Sequence, residues 1–415
     1  MKIAIVGSGI AGLTCAYLLA RRHDITVFEA DARVGGHTHT VPVTVEGRDY
    51  AVDTGFIVFN DWTYPNFIRL LGQLGVAFKP TEMSFSVNDP DTGLEYNGNN
   101  LNSLFAQRSN LLSPGFWGML RDILRFNKEA RRDLAEQRIA ADTTLDDYLQ
   151  AGGYGERFIL HYIVPMGAAI WSMPMAEMLN FPLQFFVRFF ENHGLLSVSN
   201  RPQWQVIKGG SSAYITPLTE SFKERIRLNC PVGRIDRDAH GVVIHSPAGI
   251  ERFDKVVLAC HSDQALRLLG NPDSKEREIL GALPYADNEV VLHTDTRLLP
   301  ERKLAWASWN FRLAGSGHTH AAVTYDMNIL QGIQSDTTFC VSLNQSAAIS
   351  PSKVLARFTY AHPQFSLASV AAQARWEELH GAQHTYYCGA YWANGFHEDG
   401  VVSALRVAGA FGETL

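Results

Sequence analysis

The chain has 415 residues, a length that suits roughly two to three domains better than a single core. Hydrophobic residues make up 46% and charged residues 19%, the balance of a soluble globular enzyme. The net charge is −6 with both signs scattered along the chain, which excludes the concentrated basic footprint of a nucleic-acid binder. Five cysteines (Cys15, Cys230, Cys260, Cys340 and Cys388) are far apart, odd in number and without CxxC spacing. They read as reduced, mostly buried thiols of a cytosolic protein, with neither a disulfide framework nor a zinc site. The opening MKIAIVGSGIAG goes straight into a fold, so no cleaved secretory signal is expected. The most apolar window, FPLQFFVRFF at 181–190, is interrupted by Arg188 and falls short of the about 18 uncharged residues of a membrane span.

In chain order, residues 2–6 (KIAIV) read as a buried parallel strand, 10–22 as a helix and 25–29 (ITVFE) as a second strand. Gly7, Gly9 and Gly12 place a GxGxxG spacing between the first strand and the helix. In such a βαβ unit the first glycine permits the tight turn and the second lets backbone approach a pyrophosphate. The third lets the helix pack closely on the strand, while the helix N-terminus offers free N–H groups to phosphate. Glu29 would accept hydrogen bonds from ribose hydroxyls, which disfavours a 2′-phosphate and hence NADP.

The stretch after it, EADARVGGHTHT, carries a second basic, glycine-rich turn with Arg33, Gly35 and Gly36. An NAD domain normally proceeds to a helix here, whereas large FAD-binding proteins use this turn to approach pyrophosphate and flavin. At these residues the chain resembles the flavin-containing amine oxidase superfamily, which includes phytoene desaturase-like and protoporphyrinogen oxidase-like enzymes. Further segments match in order: AVDTGFIVFN (51–60), WQVIKGGSSAYITPL (204–218), DKVVLACHSDQALRLL (254–269) and YYCGAYWANGFHEDGVVSALRVAG (386–409). VPMGAAIWSMP (164–174) and GFHEDGVVSALR (395–406) resemble, more narrowly, a bacterial group described only as NAD/FAD-binding proteins. Its members are often encoded beside cyclopropane-fatty-acyl synthase-like methyltransferases, an association that implies a lipid acyl chain as substrate.

The resemblance implies an α/β fold in which a Rossmann-type FAD-binding domain (1–75, 200–285 and 375–415) is interleaved with an α+β substrate domain (76–199 and 286–374). The first insertion is expected to be largely helical, with 104–137 as its clearest helix. The second is expected to be an antiparallel sheet built on NEVVLHTDT, LAWASWNFRL, HAAVTYDMNIL and TFCVSLNQ. FAD would be held by Gly7, Ser8, Gly9, Ile10, Ala11 and Gly12, by Glu29, Ala30 and Arg33, and by Gly35, Gly36, His37 and Thr38. Val232 falls where the family's backbone meets adenine. Gly389, Ala390, Phe396, His397, Gly400 and Val401 belong to the closing motif, whose helix dipole would stabilise anionic reduced flavin.

Amine oxidases carry a lysine near flavin N5, and Glu289 and Val290 fall about where it would stand, so the chain departs from that pattern. Phe396 would form one wall of an aromatic slot without a phenol to polarise a substrate nitrogen, which suits an apolar substrate. His397 has two readings, an acid/base with an ordinary pKa near 6.5 or a backbone-bonded structural residue. The pairs His37/His39 and His318/His320 alternate like ligands, yet a site needs three or four convergent groups, so no metal is expected. Tyr162 and Trp171 are candidate substrate-pocket walls, with core packing as the alternative. On the helix over 116–134, Arg121, Arg125, Lys128 and Arg132 form a basic stripe beside Phe116, Leu120, Ile123 and Leu124. Such a helix suits peripheral contact with anionic lipid.

The sequence therefore points to a cytoplasmic FAD-dependent oxidoreductase with peripheral contact at the inner membrane face. Its reaction would desaturate a C–C bond of a fatty acyl chain or other lipid by hydride transfer to flavin N5. Amine or polyamine oxidation, redox-neutral double-bond isomerisation and a non-catalytic lipid-escort role are the alternatives.

Overall fold

The computed structural model describes residues 1–313 and 322–415. His318 and His320 lie outside the described residues. Five parallel strands form the first sheet, in the order Ile226–Arg227, Asp24–Phe28, Lys2–Val6, Lys255–Leu258 and Thr385–Tyr387. The central strand is buried along nearly its whole length, as a parallel strand covered on both faces must be. The helix Ile10–Leu19 ends sooner than the expected 22 and packs against the closing helix His397–Gly409. Glycines make that packing close. A Cβ on Gly12 would stand 2.0 Å from the Gly7 carbonyl oxygen, and one on Gly400 would stand 2.8 Å from Ile10 Cγ2.

The second sheet has seven strands, in the order Val354–Pro363, Tyr285–His293, Cys340–Leu343, Val323–Asp326, Trp309–Arg312, Phe85–Asp89 and Leu94–Asn97. It departs from expectation twice. The hairpin Phe85–Asn97 comes from the stretch expected to be helical, and it joins in parallel through Phe85–Asp89 against Trp309–Arg312, so the sheet is mixed. Its longest strand, Val354–Pro363, was not among the expected ones.

The helical layer is also cut differently. Ser113 accepts a hydrogen bond from the Phe116 N–H and Pro114 takes the first helical position, so the long helix is Pro114–Ala135 and not 104–137. Its buried stripe is Phe116, Met119, Phe126 and Ala130. Leu124, expected on the apolar face beside Phe116, is 57% exposed. The basic stripe is interrupted as well, since Arg125 donates to the Gly152 carbonyl at 2.8 Å and lies over the Tyr154 ring. No helix among the described residues is long and apolar enough to cross a membrane.

Candidate active site

The carboxyl ends of the parallel strands open into a cavity of about 1090 Å³ whose far wall is the second sheet. That exceeds the about 300–1,000 Å³ of a drug-sized ligand site and suits a dinucleotide together with a substrate. At the near wall Gly7 adopts φ +104, where a side chain would meet the Ala259 carbonyl at 2.8 Å. Gly9 is different, because a Cβ there would touch no atom within 4 Å and would point into free space. The following helix has no side-chain cap and no acid in its first turn, so its amides are available to an anion. Glu29 closes the turn: Oε2 accepts from the Ser8 N–H at 2.9 Å and the Ser8 hydroxyl at 2.5 Å, and Oε1 accepts from the Asp31 N–H at 2.9 Å. Arg33 braces the second glycine turn, donating to the Gly36 carbonyl at 2.7 Å and the Thr38 carbonyl at 3.1 Å. These features fit the pyrophosphate and ribose of FAD.

Most of the cofactor residues expected from sequence line this cavity: Gly7, Ser8, Gly9, Ile10, Ala11, Glu29, Ala30, Arg33, Gly35, Gly36, His37, Val232, Gly389, Ala390, Phe396 and His397. Four do not. Gly12, Gly400 and Val401 sit in helix packing, and Thr38 is buried behind the turn, where its hydroxyl lies 2.5 Å from the Tyr214 hydroxyl.

His397 opens the closing helix and stacks on Phe56 with ring centroids 3.5 Å apart. Its Nε2 is 2.9 Å from Thr38 Oγ1 and 3.4 Å from the Tyr214 hydroxyl. Burial, then the neighbouring His37, holds its pKa well below 6.5, so the ring is neutral at physiological pH. An acid/base with an ordinary pKa near 6.5 is therefore not what this side chain provides. The same helix carries Glu398 and Asp399 in its first turn. Glu398 reaches away and caps the helix Pro65–Gln73, accepting from the Asn66 N–H at 3.1 Å and the Phe67 N–H at 2.8 Å.

Trp171 faces the cavity, but Tyr162 does not. Tyr162 lies in the π-turn Ile159–Ile163 and packs into the aromatic core of the helical layer, 5.7 Å from Phe158. Sequence reasoning missed the opposite wall: Trp309, Tyr325, Phe358, Tyr360 and Phe365 all line the cavity, with Ile57, Val58 and Leu330. Phe358, Tyr360 and His362 alternate along one strand, a period-two signal that was present in the sequence. Among the described residues no lysine lines the cavity. Glu289 is exposed, pairing with Arg357 and Ser346, and Val290 is buried in the sheet core.

Three imidazoles gather where the two sheets meet. His37 lies 5.4 Å from His362 and 6.1 Å from His261, centroid to centroid. Burial, reinforced by those two neighbours, pushes His37 down to about 3, and burial pushes His362 down to about 4. Among the described residues no group of three or more His, Cys, Asp or Glu side chains is arranged to hold a metal ion.

A doubly covered parallel sheet, a glycine turn at the mouth of a dinucleotide-sized cavity and a mixed sheet closing it define a flavoprotein oxidoreductase. The chain belongs to the flavin-containing amine oxidoreductase family, whose model matches residues 10–328. It is an FAD-dependent enzyme of that superfamily. Among solved structures it is similar to a fatty acid isomerase from P. acnes that produces CLA (TM-score 0.71, 16% identity, covering 99% of this chain and 98% of that one). It is also similar to a putrescine-bound putrescine oxidase (0.70, 16%, 99% and 99%) and to cyclohexylamine oxidase from Brevibacterium oxydans IH-35A (0.68, 15%, 99% and 98%). At such identities the likeness is one of fold. No curated protein sequence matches the chain.

Proposed function

We propose that the enzyme desaturates a C–C bond in a fatty acyl chain or similar lipid. The observation that carries this reading is the stretch of wall formed by Trp309, Tyr325, Leu330, Phe358 and Phe365, aromatic and aliphatic side chains, with no lysine among the described residues that line the cavity. Burial of an acyl chain against Trp171, Trp309, Phe358 and Phe365 would supply about 0.8 kcal/mol per CH₂. An amine would find no basic partner there of the kind that amine oxidases use. Bound FAD supplies the two-electron acceptor. The protein's part is to hold the cofactor at Gly9 and Glu29, to keep water from the reacting carbons and to position the closing segment. His397 serves in this reading as a neutral positioning residue that ties the closing helix to the glycine turn through Thr38.

In the same proposal the cofactor domain is 1–75, 200–285 and 375–415, the remainder forming the substrate domain. A membrane surface supplies the lipid. The support for that contact is the turn Arg108–Leu112 and the start of the long helix, where Leu112 (88%), Trp117 (49%) and Leu111 (47%) are exposed, as are Arg108 and Arg121. The face is therefore not the Phe116 stripe expected from sequence.

Mass analysis of acyl chains after incubation with the FAD-loaded enzyme and an electron acceptor tests the reading. Loss of two hydrogens per chain is expected. A shifted double bond at unchanged mass would replace desaturation by isomerisation.

A further inference from the structure

A second chamber of about 380 Å³ lies beyond Phe396, separate from the main cavity but sharing Phe396 and Asn394 with it. Its mouth is formed by Trp62, Pro65 and Asn192, all exposed, and its floor by Tyr64, His193, Glu398 and Asp399. Two carboxyl groups and the rings of Trp62, Tyr64, His193 and Phe396 line it, and among the described residues no lysine or arginine does.

The lining is not self-satisfied. Tyr64 is only 2% exposed, yet its hydroxyl has no hydrogen-bond partner among the described residues, and the charged groups acting on it are Asp399 and Glu398. The hydroxyl oxygen itself keeps accessible surface and opens onto the chamber, where a ligand's donor can reach it. Glu398 spends both oxygens on the helix Pro65–Gln73. Asp399 receives the Phe396 N–H at 2.9 Å on one oxygen, while the other faces Asn394, whose side-chain amide stands 3.4 Å away, so acceptor capacity is left over. His193 cannot act as a competing cation. Its Nδ1–H donates to the Phe189 carbonyl at 2.9 Å, its Nε2 lies 3.1 Å from the Thr63 hydroxyl, and burial pushes its pKa down to about 4.

We propose that this chamber binds an organic ammonium group, with Asp399 as counter-ion, the Tyr64 hydroxyl as hydrogen-bond acceptor and the rings of Phe396 and Trp62 as cation–π walls. A half-buried carboxylate with acceptor capacity left, an unpaired hydroxyl and several aromatic faces match an ammonium's charge, its N–H donors and its polarisable surface. A carboxylate or phosphate ligand would meet two negative groups and no positive one. The site is independent of what occupies the main cavity. Free amines and the ethanolamine headgroup of a lipid share the chemistry, and size at the chamber mouth discriminates between them.

Calorimetric titration of the oxidised, FAD-loaded enzyme with tert-butylammonium tests the proposal, because this probe has no hydrogen on the carbon bearing nitrogen and cannot be turned over there. Binding is expected, with tert-butanol at least about tenfold weaker. Asp399→Asn should weaken tert-butylammonium by about tenfold or more, and Tyr64→Phe, which keeps the ring in place, by severalfold. Trp309→Phe in the main cavity should leave it unchanged. Glycerophosphoethanolamine binding as tightly as tert-butylammonium assigns the headgroup source, and its exclusion assigns a free amine. Equal binding of tert-butanol, indifference to both Asp399→Asn and Tyr64→Phe, or loss of binding in Trp309→Phe alone would overturn the proposal. Should Asp399→Asn fail to fold, Tyr64→Phe decides.

Discussion

Thr38 Oγ1 and His397 Nε2 lie 2.9 Å apart although 359 positions separate them in the chain. That contact joins the second glycine turn to the first residue of the closing helix, and the Phe56 ring clamps the imidazole from the other side. His397→Ala removes one buried hydrogen bond and one stacked pair, for an expected loss of about 1–3 kcal/mol of stability. Because the ring is neutral and its pKa lies far below 6.5, no limb near pH 6.5 should disappear from the rate profile of flavin reduction. Chemical denaturation and stopped-flow reduction across pH check the two halves. Unchanged stability together with loss of a near-neutral limb would restore the acid/base role.

The first glycine turn yields a pair of opposite outcomes. A side chain on Gly9 meets no protein atom, whereas one on Gly12 meets the Gly7 carbonyl at 2.0 Å. Gly9→Val should therefore fold with a near-normal melting temperature but purify without flavin. Gly12→Ala should be grossly destabilised, since backbone cannot yield by more than an ångström without separating helix from strand. Absorbance at the flavin band and thermal melting distinguish them. A flavin-replete Gly9→Val protein would remove the phosphate role from this turn.

How far the sequence reached follows from the range of the interactions. The glycine turns and Glu29 were legible because turn, strand and acid lie within one short βαβ unit, where each residue type answers a local steric or hydrogen-bonding need. The Thr38–His397 contact was not, because nothing local to either residue signals the other. Tyr162 was misplaced for a different reason: a π-turn at Ile159–Ile163 shifts the helix phase, so counting in steps of 3.6 loses track of which face is inward. The cavity wall at Phe358 and Tyr360, by contrast, was written in the alternation of VLARFTYAHP and simply went unread. So was the helix start at Ser113–Pro114, a local cap signal.

Acid should destabilise the protein through its buried histidines. Burial lowers His37 to about 3 and His39, His193, His293 and His362 to about 4, and holds His397 lower still than its usual value. Their folded-state values lie below the unfolded one near 6.5, so the stability they confer is present above about pH 6.5 and is lost as pH falls toward 4. Asp53, Asp326 and Asp399 act oppositely: burial raises each to about 6, so the folded state keeps their protons between about pH 4 and 6 and gains on acidification. The histidines outnumber them. The melting temperature should fall by several degrees between pH 7 and pH 5, and a flat or rising curve would contradict the burial described.

Leu112, Leu111 and Trp117 give the membrane proposal its own test. Replacing Leu112 and Trp117 together by serine should leave flavin content unchanged and lower melting only modestly, because Leu112 is free of the core and Trp117 touches it only through Phe105 and a hydrogen bond to the Leu111 carbonyl. Co-sedimentation with anionic vesicles should drop by about tenfold or more, since two large apolar contacts of about 1–2 kcal/mol each are removed. Equal sedimentation of the two proteins would place lipid contact elsewhere or nowhere.

The most direct test of the central claim is anaerobic titration of the FAD-loaded enzyme, following the flavin absorbance. A long-chain acyl lipid should bleach it, while short amines, including putrescine and cyclohexylamine, should leave it oxidised. Trp309→Ala or Phe358→Ala should slow the lipid-driven bleaching by removing part of the apolar wall. Bleaching by an amine and none by any acyl lipid would contradict the account and return this cavity to C–N oxidation.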